Sequence, residues 1–115
     1  MRSWIKTAAL SLGLLVFAAG AGIAGSEWQG VWKVADTAGQ PFEITLGADG
    51  SAKASLHEDM VGTWTAEGDS AVIHWKTGWT TVISKGETGY RKAGFREGAS
   101  LTGAPTNSSS AVKVK

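Results

Sequence analysis

Residues 71–83 read AVIHWKTGWTTVI and carry the clearest secondary-structure pattern in the chain. Apolar residues alternate with other side chains on both sides of a central Lys-Thr-Gly, which is typical of two β-strands joined by a tight turn. A three-residue loop with glycine in third place fits a type I turn closed by a glycine bulge. That register predicts a hairpin with Trp75 opposite Trp79 on one face. Ile73 then lies opposite Thr81 on the same face.

The same two-residue alternation appears in both directions from this hairpin. It covers residues 30–35, 42–46, 52–56 and 62–66 upstream, and residues 89–95 downstream. Beyond the N-terminal leader, no segment keeps apolar residues at helical spacing over three turns. The pattern therefore predicts an all-β fold, a small antiparallel meander barrel or sandwich of seven or eight short strands after an N-terminal signal peptide.

Residues 1–24 have the three-part layout of a secretory signal peptide. Arg2 and Lys6 are followed by an apolar run and then by small residues. Cleavage is expected after Ala24, with Ala21 as the alternative site. An uncleaved membrane anchor is the competing interpretation, but the apolar run is shorter than the roughly 20 residues that a spanning helix needs. We therefore expect a periplasmic or secreted protein with no membrane attachment after cleavage.

The rest of the chain divides into two predicted parts. Residues 25–98 form the antiparallel β domain, and residues 99–115 form an arm rich in Gly, Ser, Thr and Pro. Within the arm, residues 111–114 read AVKV and are a candidate closing strand. Closure of a barrel depends on the pairing of these residues with the first strand.

The composition excludes several kinds of site and partner. The 115 residues include no cysteine, which excludes disulfide bonds, a thiolate nucleophile and cysteine-ligated metals. Loss of Arg2 and Lys6 with the leader changes the formal net charge from +1 to −1. This balance argues against nucleic acid or an anionic membrane as a partner. A small exported domain without disulfides depends on packing, and Trp4 is the only one of the six tryptophans that the leader removes.

Gly30-x-Trp32 lies near the start of the first predicted strand. This pair resembles the Gly-x-Trp opening of lipocalins and avidins, so the chain is similar to the small calycin-type barrels through these residues. The resemblance implies an up-and-down barrel of eight strands. It also implies that Trp32 closes one end of the barrel by packing on a basic residue from a late strand, for which Arg91 and Arg96 are the candidates.

The tryptophans that follow the leader are the candidate binding residues. An aromatic lining for an apolar ring or a sugar is one interpretation, and packing inside a narrow barrel is the other. Trp75 and Trp79 flank the predicted hairpin tip and are the best candidates for contact with a ligand. Lys76 lies beside them and could assist an anionic or glycan ligand. Trp64 completes the predicted ligand-binding set.

Neither a catalytic site nor a metal site is predicted. His57-Glu58-Asp59 groups metal-capable side chains and His74 is the other histidine, but no second cluster lies at a recognisable spacing. The serines do not occur in a Gly-x-Ser-x-Gly elbow. We therefore expect a non-enzymatic protein without a cofactor.

These observations favour a monomeric or weakly oligomeric exported binding protein. The leading hypothesis is an aromatic surface or pocket for a small apolar molecule or a glycan. The alternative is an interaction protein that binds another envelope or secreted protein, such as an inhibitor of a protease or a lysozyme. A wide internal cavity favours the first hypothesis, and a packed core with a protruding loop favours the second.

Overall fold

A computed structural model describes residues 27–56 and 60–115 of the chain. These residues form eight antiparallel strands that close into a barrel, which confirms the predicted all-β meander. The strands are β1 (Gly30–Ala35), β2 (Pro41–Leu46), β3 (Ser51–Ala54), β4 (Val61–Glu67), β5 (Ser70–Trp75), β6 (Thr80–Lys85), β7 (Tyr90–Phe95) and β8 (Asn107–Lys113). Within the described ranges there is no helix with the length and apolar character to span a membrane. The predicted signal peptide, residues 1–24, lies outside them.

The hairpin at residues 71–83 has the predicted register. The N–H of Gly78 donates to the carbonyl oxygen of Trp75 at 2.9 Å, and the N–H of Trp75 donates to the carbonyl oxygen of Trp79 at 2.9 Å. Gly78 has a φ of 98°, which glycine adopts readily and L-residues rarely do. Ile73 lies opposite Thr81. The Lys-Thr-Gly loop therefore sets which side chains of β5 and β6 point inward.

The barrel closes through the last strand. Each strand pairs with its neighbour in sequence, and β8 pairs with both β7 and β1. Trp32 lies opposite Lys113, and the N–H of Val31 donates to the carbonyl oxygen of Lys115 at 3.0 Å. A closed barrel has no sheet edge exposed to a second chain.

The closing strand begins earlier than the sequence predicts. It begins at Asn107 rather than at Ala111. The polar residues 107–110 favour a loop by composition, but they pair in register with residues of β7. Asn107 and Ser109 are half-buried on the same side as buried Ala111, whereas the intervening serines are exposed. The two-residue alternation is therefore present in this segment, but its inward residues are polar.

Aromatic side chains fill the end of the barrel at which β1 begins. Trp28 and Trp32 are 2% and 0% exposed, and their ring centroids are 5.6 Å apart. The ring of Tyr90 packs edge-on against both, with its centroid 4.9 Å from that of Trp32. Trp32 Nε1 donates to the carbonyl oxygen of Trp28 at 2.8 Å. We call this cluster, Trp28, Trp32 and Tyr90, the closed end.

The residue packed on Trp32 differs from the arginine that the resemblance implies. Arg91 is exposed, and Arg96 follows the end of β7 that is remote from Trp32. Tyr90, the neighbour of Arg91, takes the position instead. One basic residue of a late strand near this cluster is Lys113, whose Nζ donates to the carbonyl oxygen of Glu27 at 2.9 Å. Lys113 thereby holds the segment before β1 over the closed end.

The connections that follow β1, β3, β5 and β7 meet at the opposite end, because neighbouring strands are antiparallel. We call this the cavity end, and it includes the hairpin tip with Trp75 and Trp79. The closed half of the barrel, next to the closed end, is packed. The cavity lies in the other half, where Trp75 continues the same buried core and Phe42, Met60 and Trp79 pack against it.

Candidate functional site

The cavity end contains a cavity with a volume of about 440 Å³. Cavities of this size hold small molecules, and in β-barrels they lie at the mouth. Its apolar wall consists mainly of five side chains, Phe42, Leu56, Met60, Trp75 and Trp79. Three of the five are aromatic, so the wall is suited to a flat apolar ring.

The two tryptophans of the wall are held differently. Trp75 is 4% exposed, and its Nε1 donates to Thr81 Oγ1 at 2.8 Å. This hydrogen bond satisfies the indole N–H, so the face of the Trp75 ring can contact an apolar molecule without leaving a buried donor unpaired. Trp79 is half-buried and packs against the core from the hairpin tip. It is therefore an aromatic wall residue that a ligand can cover further.

Among the described residues, one charged strand side chain lies in the wall on the inner face of the barrel. Lys92, in the middle of β7, is 3% exposed. Its Nζ donates to Asn107 Oδ1 at 2.8 Å and lies 5.9 Å from the centre of the Phe42 ring. Burial lowers the pKa of Lys92, and the nearby Asp36 carboxylate acts in the opposite direction. The barrel thus holds an amine at the boundary between its apolar wall and its polar mouth.

The other polar groups of the wall are engaged with one another or with the backbone. Asp36 Oδ1 accepts hydrogen bonds from the N–H groups of Ala38 and Gln40 at 2.9 and 2.8 Å. Asn107 Nδ2 donates to Thr37 Oγ1 at 2.8 Å. These bonds fix the connection after β1 against the start of β8. They use part of the hydrogen-bonding capacity of the wall that a highly hydroxylated ligand would need.

The structure brings together two of the four predicted binding residues. Trp75 and Trp79 both line the cavity. Lys76 is exposed at the turn and is not part of the wall. Trp64 is 2% exposed, and its Nε1 donates to the carbonyl oxygen of Gly47 at 2.8 Å, in the turn at the other end of the barrel. Trp64 is therefore a packing residue of the closed half.

Sequence reasoning missed Lys92, Asn107 and Asp36. The alternation in β7 places Lys92 on the same face of the sheet as Tyr90. A lysine on a strand face that also carries an aromatic residue is the signal that could have indicated a buried amine. Asn107 lies in the segment assigned to the arm. Its position beside Lys92 follows from strand pairing, which a single sequence does not reveal.

Of the two histidines, the one that lies in the described residues does not line the cavity. His57-Glu58-Asp59 lies outside them, and His74 is exposed on β5. Among residues 27–56 and 60–115, no group of three or more His, Asp or Glu side chains could hold a metal ion.

Replacing Lys92 with methionine is expected to raise the free energy of unfolding by about 1 kcal/mol at neutral pH, because the buried amine is replaced by an apolar chain of similar length. The burial of Lys92 lowers its pKa from 10.5, so the folded state binds fewer protons than the unfolded chain between the lowered pKa and 10.5. Unfolding free energy therefore rises with pH across that window in the unmodified protein.

Urea unfolding at a series of pH values measures both effects. The difference in stability between Lys92→Met and the unmodified protein should shrink as the pH approaches 10.5. A difference that stays constant with pH would show that the amine is not penalised by burial.

The fold and the site together define a class, a closed up-and-down β-barrel of eight strands with an aromatic closed end and a ligand-sized cavity at the other. Comparison of the chain with protein-family models, with curated proteins and with solved structures finds no match in any of the three.

Proposed function

We propose that this protein binds a small, largely apolar molecule in the cavity between the β1–β2 connection and the hairpin tip. The cavity of about 440 Å³, walled by Trp75 and Trp79, is the observation that carries the proposal. The aromatic plug at the closed end leaves the cavity end as the route of entry. A small-molecule site fits the general character of such cavities, in which apolar walls provide affinity and a few polar groups orient the ligand.

An apolar ligand suits this wall better than a glycan does. A sugar presents many hydroxyl groups, and each buried hydroxyl needs a hydrogen-bond partner. Thr81 Oγ1 already accepts from Trp75, and Asp36 Oδ1 already accepts from the backbone of the β1–β2 connection. The wide cavity also favours ligand binding over the alternative role as an inhibitor of another protein, for which a packed core and a protruding loop are expected.

The proposed ligand site is tested with naphthylmethanol, a neutral aromatic probe, by isothermal titration calorimetry. Trp79→Ala is expected to weaken binding about tenfold, because a half-buried aromatic wall is removed. The control is Val112→Ala, which shortens an apolar side chain that is 55% exposed on the outer surface. Equal affinity of the Trp79→Ala variant and the unmodified protein would exclude this cavity as the site, and so would failure of the unmodified protein to bind both this alcohol and the corresponding naphthalene carboxylate.

We also propose that the barrel is exported and that it is a calycin-like barrel. The layout of residues 1–24 supports export. Gly30-x-Trp32 at the closed end of an up-and-down barrel supports the likeness to lipocalins and avidins.

Export predicts the mass of the mature protein. When the full-length chain is expressed with an active secretion pathway, intact-mass spectrometry of the product should show Gly25 as the first residue, or Gly22 if cleavage follows Ala21 instead of Ala24. A product that retains Met1 and stays with the membrane fraction would instead support the uncleaved anchor.

A further inference from the structure

We propose that the cavity selects apolar ligands that carry a carboxylate, and that Lys92 binds this group. The inference rests on the proposed function and names its ligand class. Lys92 is the charged group that the strand pairing places inside the barrel, 3% exposed, between the aromatic wall and the polar mouth. A buried amine is costly unless a partner compensates it, so its presence in a ligand-sized cavity points to a partner that enters with the ligand.

The hydrogen-bonding capacity of Lys92 exceeds what Asn107 uses. An ammonium group has three N–H donors, and Asn107 Oδ1 accepts one of them at 2.8 Å. Asn107 is itself fixed, because its Nδ2 donates to Thr37. Lys92 Nζ is therefore held in a defined position and can donate to an acidic group in the cavity. Charge-assisted hydrogen bonds of this kind are about twice as strong as neutral ones.

The Asp36 carboxylate does not take the place of a ligand carboxylate as the partner of the Lys92 amine. Among the described residues the ion pair within bonding distance is Lys85–Glu27, so Asp36 and Lys92 influence each other from further away. The Asp36 carboxylate is also held toward the backbone of Ala38 and Gln40. Coulomb attraction falls with distance, so a ligand carboxylate in contact with Nζ gains more from Lys92 than it loses to Asp36.

The geometry of the wall fixes the rest of the ligand. The Lys92 amine lies 5.9 Å from the centre of the Phe42 ring, and Trp75 and Trp79 line the same cavity. A molecule whose carboxylate reaches Lys92 therefore places its apolar body against aromatic rings. Compact aromatic carboxylates satisfy both requirements.

Three probes that share a naphthalene ring test this selection. They are naphthalene carboxylate, naphthylmethanol and naphthylmethylamine, which differ in the group attached to the ring. Calorimetric titration of the unmodified protein is expected to show the carboxylate bound at least tenfold tighter than the alcohol, and the amine bound weakest. Lys92→Met is expected to remove the preference for the carboxylate and to leave the affinity for the alcohol within about twofold.

The matched control is Lys53→Met, which removes an exposed lysine from the outer wall on β3. It should keep the full preference, because a charge outside the barrel is screened by solvent. Equal binding of carboxylate and alcohol by the unmodified protein would overturn the inference while leaving the proposed function standing, and so would a preference that survives Lys92→Met. Failure of every probe to bind would overturn both. The comparison of probes on the unmodified protein does not depend on how the variants fold.

Discussion

Replacing Trp32 with alanine is expected to lower the free energy of unfolding by about 3–5 kcal/mol, the range for removal of a large buried aromatic side chain. Trp32 is 0% exposed, and its ring contacts those of Trp28 and Tyr90. Its Nε1 also donates to the carbonyl oxygen of Trp28, so the substitution leaves that buried acceptor without a partner. Small domains have total stabilities of about 5–15 kcal/mol, so a large share of the barrel's stability depends on this residue.

The measurement is urea unfolding followed by circular dichroism, with Trp79→Ala as the matched control. Trp79 is half-buried in the cavity wall, so the same chemical change should cost much less stability there. The two variants then separate the roles, since Trp32→Ala destabilises the fold and Trp79→Ala weakens binding. Comparable destabilisation by both would contradict the division of the interior into a closed end and a cavity end.

Gly62→Ala is expected to destabilise the barrel by about 3 kcal/mol, at the upper end of the range for overpacking. A Cβ atom at Gly62 would overlap the carbonyl oxygen of His74 and lie 2.9 Å from the Cα of Trp75. Both neighbours are backbone atoms of β5, so no rotamer change can relieve the overlap. The strands β4 and β5 must therefore separate at this point. Gly62 lies opposite Trp75, which is at the end of β5 and lines the cavity, so the separation occurs beside the cavity wall.

Thermal unfolding compares this variant with Gly103→Ala. Gly103 lies outside the strands, and a Cβ atom there would meet the carbonyl oxygen of Ser100 at an ordinary 3.7 Å. We expect Gly103→Ala to change stability by less than about 0.5 kcal/mol. A Gly62→Ala variant as stable as Gly103→Ala would mean that β4 and β5 do not approach as closely as described.

The sequence is sufficient where local chemistry determines structure. The Lys-Thr-Gly loop predicts both the hairpin and its register, because the turn geometry fixes which residues face each other. The two-residue alternation and the turn signals between strands predict seven or eight strands, and the structure has eight. For the same reason the sequence places Trp75 and Trp79 together, and both line the cavity.

The sequence is insufficient where distant segments meet. Trp64 alternates inward as Trp75 does, but its indole reaches the turn at Gly47, and only the three-dimensional path of the strand shows which half of the barrel it fills. Residues 107–110 are polar, and their strand forms because each of them pairs with a residue of β7, while the pairing of β8 with β1 involves Val112 and Lys113. The pairing of β7 with β8 brings Lys92 and Asn107 together. Because the sequence does not reveal this pairing, it does not reveal the polar part of the site either.

The two interpretations of the tryptophans divide between the two ends of the barrel. Trp28, Trp32 and Trp64 are buried packing residues, and they stabilise a domain that has no cysteine to form a disulfide. Trp75 and Trp79 line the cavity. Packing and the proposed binding therefore involve different tryptophans, and the signal of each indole reports on the end of the barrel where it lies.

The signals of the indole N–H groups in a nitrogen–proton correlation spectrum of isotope-labelled protein test the cavity as a binding site most directly. Titration with naphthalene carboxylate is expected to shift the signals of Trp75 and Trp79, which line the cavity, and to leave those of Trp28, Trp32 and Trp64 in place. Spectra of single tryptophan variants assign the signals. Unchanged signals for Trp75 and Trp79 at saturating probe, or shifts confined to Trp28 and Trp32, would contradict ligand binding at the cavity end.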